Sequence, residues 1–262
     1  MWSNFIYFSI VALACWIIAT LYAYRRGRTA IVGGIYLLGS FAIAAFIVML
    51  WISLDRPPLR TLGETRLWYA FFVPLVGAII YLRWKFRWIL SYTLLLALVF
   101  IVINIVKPET HSKALMPALQ SIWFVPHVVV YIFSYALLGA ASLVAAKILF
   151  MQRFGQPSRV DLLPVADTLV YVGFSFLTMG SVFGALWAKE AWGHYWTWDP
   201  KETWAFITWL GYLVYLHFRF HTPKKQATAT WMLALAFVVL LVCWFGINYL
   251  PAAQNSVHTY SR

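Results

Sequence analysis

Residues 88–106 read WILSYTLLLALVFIVINIV, from Trp88 to Val106, nineteen positions without one charged side chain. An α-helix rises about 1.5 Å per residue, so such a run nearly spans a hydrocarbon core about 30 Å thick. Runs of similar character lie near 4–24, 30–52, 67–82, 123–149, 165–187, 204–221 and 229–249. The run at 67–82 is short and carries Pro74, which predicts a kink or packing against a partner helix. The fold class that follows is an all-α integral membrane protein, a bundle of about eight transmembrane helices.

Composition agrees. Of 262 residues, 63% are hydrophobic and only 11% charged, with a mean hydropathy of +0.77; soluble domains are about half apolar and about a quarter charged. No polar stretch is long enough for a separate water-soluble domain, so 1–262 reads as a single transmembrane domain. A net charge of +12 in a soluble chain would suggest nucleic acid. Here the basic residues sit in short loops, where they set membrane orientation, and nucleic acid is not an expected partner. Cys15 and Cys243 each lie alone in an apolar run, so no Cys-x-x-Cys motif is present. The first run has no basic stretch before it, and a cleaved signal peptide is not expected.

Alternate loops divide the charges unequally. One set holds Arg25, Arg26, Arg28, Arg83, Lys85, Arg87, Lys147, Arg153, Arg159, Arg219, Lys224 and Lys225 against two acids, Asp161 and Asp167. The other holds eight basic residues and six acids. The basic excess assigns the first set to the cytoplasm and both termini to the external side. Inverted repeats and charged residues at mid-span are both missing, which argues against a transporter or pump.

The segment richest in chemistry is the loop at 187–204, assigned to the external side. Its core is Trp192-Gly193-His194-Tyr195-Trp196-Thr197-Trp198-Asp199-Pro200-Lys201-Glu202-Thr203-Trp204. With Trp187, five tryptophans and Tyr195 fall within 18 residues. A short helix here would set Trp192 and Trp196 on one face. Asp199, Pro200 and Glu202 form a capping-box sequence for the helix that follows. A plain interfacial aromatic belt is the bland reading. A dense apolar platform at the water boundary also suits a large flat ligand with polar edges.

This segment resembles the tryptophan-rich "WWD" signature of the heme-handling family of cytochrome c assembly proteins. Its Asp-Pro-Lys-Glu-Thr-Trp ending, Asp199 to Trp204, is most similar to the System II synthases, CcsA and the C-terminal part of CcsBA. The resemblance is good from Pro117 to the C-terminus. It implies that Trp192, Gly193, Trp196, Trp198, Asp199 and Trp204 form a heme-binding platform. It also implies that two histidines flanking the loop, His127 and His258, ligate the iron of heme b. His217, in the span after the loop, matches a further family histidine, which makes it a third candidate iron ligand, at a second heme position nearer the cytoplasm.

The resemblance further implies a heme lyase subunit that needs a CcsB-type membrane partner. That subunit presents heme to the Cys-x-x-Cys-His motif of apocytochrome c for thioether attachment. The implied location is a bacterial cytoplasmic membrane, or a thylakoid membrane in a plastid. Lys189, Lys201, Arg56, Arg60 and Arg66 are candidate partners for the heme propionates. A heme-delivery subunit without ligation activity, and a permease or scaffold whose tryptophans only anchor it, stand as alternatives. Each histidine also has a structural reading: His127 as an interfacial donor to a carbonyl, His258 as a solvated tail residue, His217 as a side chain snorkelling beside Arg219.

Overall fold

The computed structural model describes residues 2–111, 117–155 and 161–249. These residues form eight long α-helices and short 3₁₀ turns, with no strand among them. The chain divides into two compact units, Met1–Leu115 and Met116–Arg262. The first contains α1 (Phe5–Tyr24), α2 (Thr29–Leu54), α3 (Leu62–Trp84) and α4 (Arg87–Val106). The second contains α5 (Phe124–Arg153), α6 (Leu163–Trp192), α7 (Pro200–His221) and α8 (Gln226–Trp244). Within each unit successive helices pack on one another and the fourth packs back on the first, closing a ring of four.

Seven of the eight helices are long and apolar enough to cross a membrane. The other, α7, has 22 residues but is more polar, carrying Lys201, Glu202, His217, Arg219 and His221. Apolar side chains such as Ile10, Leu38, Val106 and Leu235 stand outward, as a lipid-facing surface requires. The chain is a multi-pass, all-α membrane protein.

Polar side chains inside the first unit pin helix to helix. Trp16 Nε1 donates to Tyr36 O at 3.0 Å. The Tyr36 hydroxyl donates to Leu90 O at 3.1 Å and pairs with Thr93 Oγ1 at 2.8 Å, joining α2 to α4. Each bond contributes a net ~0.5–1.5 kcal/mol, and leaving its buried donor unpaired would cost more. Pro74 is buried inside α3, so packing accommodates it.

Several helix ends depart from the sequence expectation, α8 for instance ending at Trp244 instead of 249, and two of the departures have a clear local cause. α3 starts at Leu62, five residues before the apolar run, because Thr61 and Glu64 form a reciprocal capping box. Arg56 forks onto Glu64 at 2.8 and 2.9 Å and locks that cap. α6 runs to Trp192 instead of 187, because Ala188, Lys189, Glu190 and Ala191 are good helix formers. The expected loop 187–204 is therefore the segment 193–199, with its flanks helical.

Candidate heme site

In the second unit the start of α5, the end of α6, the loop 193–199 and the start of α7 carry most of the residues that the sequence singles out. His127 is the fourth residue of α5. Its Nδ1 lies 2.8 Å from Gly180 O on α6. A carbonyl only accepts, so Nδ1 carries a proton, and in the neutral ring the lone pair is then on Nε2. The ring lies nearly flat against Trp187, 27° between planes at 5.4 Å, and meets Tyr131 edge-on at 4.6 Å. Metal-ligating imidazoles commonly hold one ring nitrogen on a carbonyl in this way, and the same bond is the interfacial donation to a carbonyl that the sequence also allowed.

Glycines on α6 create the room. A Cβ at Gly184 would stand 2.8 Å from His127 Nδ1 and Cε1, and one at Gly180 would stand 3.0 Å from the Tyr131 ring. His127 and Tyr131 are one turn apart on α5; Gly180 and Gly184 are one turn apart on α6. The two rings fill the two notches, and the Tyr131 hydroxyl pairs with Ser181 Oγ at 3.0 Å. Neither glycine was singled out from the sequence. The signal was the Gly-x-x-x-Gly spacing of Gly180 and Gly184, which lets helices approach closely.

Trp187, 3% exposed, anchors the aromatic wall. Its Nε1 donates to Ala118 O at 2.6 Å, and its ring packs on Phe124 and Trp192 at 5.2 and 4.9 Å. Ser121 ties the approach to α5 to the end of α6, its hydroxyl donating to Glu190 Oε2 at 2.5 Å.

The short helix that would align Trp192 with Trp196 does not form. Gly193 takes a positive φ of 84°, its N–H bonds to Lys189 O, and α6 stops there. Beyond it the chain is irregular to Asp199. Trp196 and Trp198 meet edge to face at 5.7 Å, and Trp198 meets Phe206 in the same way. The buried Trp196 Nε1 has no acceptor among the described residues. Trp198 is 62% exposed and holds a φ of 59°. For a bulky residue that conformation costs about 1–3 kcal/mol.

Asp199 caps α7, its Oδ1 accepting from Lys201 N at 3.0 Å, and Glu202 completes the expected box. Trp204 follows one turn in and is half-buried. The structure thus groups His127 with Trp187 and Trp192, and Trp196 with Trp198 and Phe206. His217 lies about 20 Å along α7 from Trp204 by helical rise. It is exposed, with its ring 4.3 Å from that of His221. His258 falls outside the described residues.

Of the candidate propionate partners, Lys189 Nζ donates to Gly193 O at 2.8 Å and lies over the Tyr195 ring. Arg56 forks onto Glu64, and the Arg60 N–H donates to the same carboxylate at 2.6 Å. Among the described residues, no three His, Cys, Asp or Glu side chains gather as a metal cluster. A porphyrin brings four nitrogens of its own, so one or two imidazoles suffice to complete its iron.

Residues 2–253 match the family of cytochrome c assembly proteins. The chain is 31% identical over 257 residues to the cytochrome c biogenesis protein CcsA of Nymphaea alba, covering 84% of this chain and 83% of that one. With the protein of that name from Chlamydomonas reinhardtii it shares 40% identity over 164 residues, 60% of this chain but only 46% of that one. The corresponding protein of Prochlorococcus marinus (strain MIT 9312) is 38% identical over 175 residues, 55% of this chain and 57% of that one. The chain belongs to the cytochrome c assembly protein family.

Proposed function

We propose that the second unit binds heme as a substrate, with His127 Nε2 as an axial ligand, and presents it to apocytochrome c for thioether attachment. The observation that carries this reading is the His127 imidazole itself. Its Nδ1 proton is fixed on Gly180 O and its ring lies against Trp187, the orientation in which a neutral imidazole would offer Nε2 to a metal. Trp196 and Trp198 on the 193–199 loop, with Trp192 at the end of α6 and Trp204 one turn into α7, supply apolar surface of the kind a porphyrin requires. His258 is the second axial ligand in this reading, and His217 belongs to a separate heme position.

The proposed reaction is an addition. Each cysteine thiol of Cys-x-x-Cys-His adds across a heme vinyl group; sulfur bonds to one vinyl carbon and the proton ends on the other. No electrons are gained or lost, so the protein's contribution is positioning. The basic loops support an orientation with both termini and the tryptophan-rich segment on the external side. The membrane is the bacterial cytoplasmic membrane or, in a plastid, the thylakoid. A CcsB-type partner completes the synthase.

The test is co-expression with a CcsB-type partner and an apocytochrome in cells lacking other assembly systems. Heme-stained cytochrome should form with Cys-x-x-Cys-His and not with Ala-x-x-Ala-His. Heme carried by the chain without any covalent product would mark a heme-delivery protein instead. Absence of heme from every preparation would return the tryptophans to membrane anchors.

A further inference from the structure

Four non-glycine residues among those described have a positive φ: Arg26, Asp55, Lys85 and Trp198. The first three follow the C-terminal ends of helices, where a left-handed residue commonly closes the last turn. Trp198 stands just before the start of α7, where no such motif asks for it. Its neighbours supply the reason. The N–H of Thr197 and the N–H of Asp199 both donate to one oxygen, Glu202 Oε2, at 2.7 and 3.2 Å. The Thr197 hydroxyl adds a third donor at 3.3 Å. The Trp198 carbonyl, turned the other way, accepts from Thr203 Oγ1 at 3.0 Å.

We propose that Glu202 is a positioning residue for the Trp198 indole. Its carboxylate gathers the amides on either side of Trp198 and keeps that residue left-handed, with the ring on the open side of the loop for stacking on a planar ligand. An ordinary capping box needs only the bond from Asp199 N. Here the bond from Thr197 N is the shorter of the two, so Glu202 grips the loop beyond the helix as well as the helix start. Successive N–H groups around a left-handed residue form a concavity suited to an anionic oxygen. The identity of the planar ligand as heme rests on the function proposed above; the grip on Trp198 does not.

Two readouts on the purified full chain separate these parts. Hydrogen exchange of the 194–199 amides, measured without heme, should accelerate at least tenfold in Glu202→Ala and stay within threefold of wild type in Glu202→Gln, which keeps the acceptor oxygen. Titration with hemin should show an altered Soret band in Glu202→Ala. That alteration should vanish when the change is made in a Trp198→Ala background, because Glu202 acts through that ring. Unchanged exchange in Glu202→Ala, or a spectral effect of equal size with Trp198 absent, overturns the proposal. A wild-type protein that takes up no hemin refutes the heme reading, and exchange alone then decides whether Glu202 holds Trp198.

Discussion

The His127 imidazole fills the space that a side chain at position 184 would need: a Cβ on Gly184 would stand 2.8 Å from both Nδ1 and Cε1 of the ring. Gly184→Ala must therefore displace the ring or part α5 from α6. The expected result is at least a tenfold loss of bound heme, about 1.4 kcal/mol. Gly211→Ala is the control, since a Cβ there has ordinary contact at 3.8 Å with Ala236. Heme content per purified protein for both variants checks this.

At the other end of α7, Arg219 forks onto Asp167 of α6 at 2.7–3.2 Å, and the Tyr215 hydroxyl donates to the same carboxylate at 2.6 Å. Both charged side chains are largely shielded, 12% and 14% exposed. Removing one leaves the other poorly paired, so Asp167→Asn and Arg219→Leu should each destabilise the protein by about 1–3 kcal/mol. Unfolding in mixed micelles should give a double-mutant coupling above about 0.5 kcal/mol. Strict additivity would show that the fork contributes nothing.

Asp199 should matter more for stability than for ligation. Replacing a capping aspartate by alanine costs about 1 kcal/mol of helix stability. Asp199→Asn keeps an acceptor for Lys201 N and should cost less than half of that. The same unfolding assay ranks the two, and equal losses would assign the cost to the charge.

His111 offers a pH test in the first unit. Its ring stacks on Trp2 at 3.8 Å and 7°. Burial, the largest influence, lowers its pKa; the Asn104 backbone carbonyl, Glu109 and Glu64 oppose that, and Arg66 adds to it. With the folded pKa below the unfolded value of about 6.5, the stack is fully stabilising above that pH and weakens as pH falls through the folded value. Resistance of the N-terminal segment to proteolysis should therefore drop below about pH 6.5. His111→Gln should remove that dependence, and an unaltered pH profile in the variant would assign it to other groups.

Helices were legible because each leaves an apolar run near twenty residues long. Their ends were less so, because hydropathy is blind to caps: Thr61 and Glu64 extend α3 through polar sequence, and Lys189 and Glu190 carry α6 through what reads as a loop. The Asp199 cap was legible because its determinants are three residues apart. The notch for His127 was not, since it needs α5 and α6 placed side by side. The left-handed Trp198 was hidden for another reason: a tryptophan gives no local hint of positive φ, and the bonds from the Thr197 and Asp199 amides to Glu202 that go with it appear only in the folded loop.

Ligation of heme iron by His127 Nε2 is the step from which the proposed function follows. The reduced absorption spectrum of the purified protein, wild type beside His127→Gly with and without added imidazole, tests it most directly. Wild type should show a Soret band, lost or strongly weakened in the variant and restored by imidazole entering the vacated space. A His127→Gly protein with the wild-type band and no response to imidazole would contradict it.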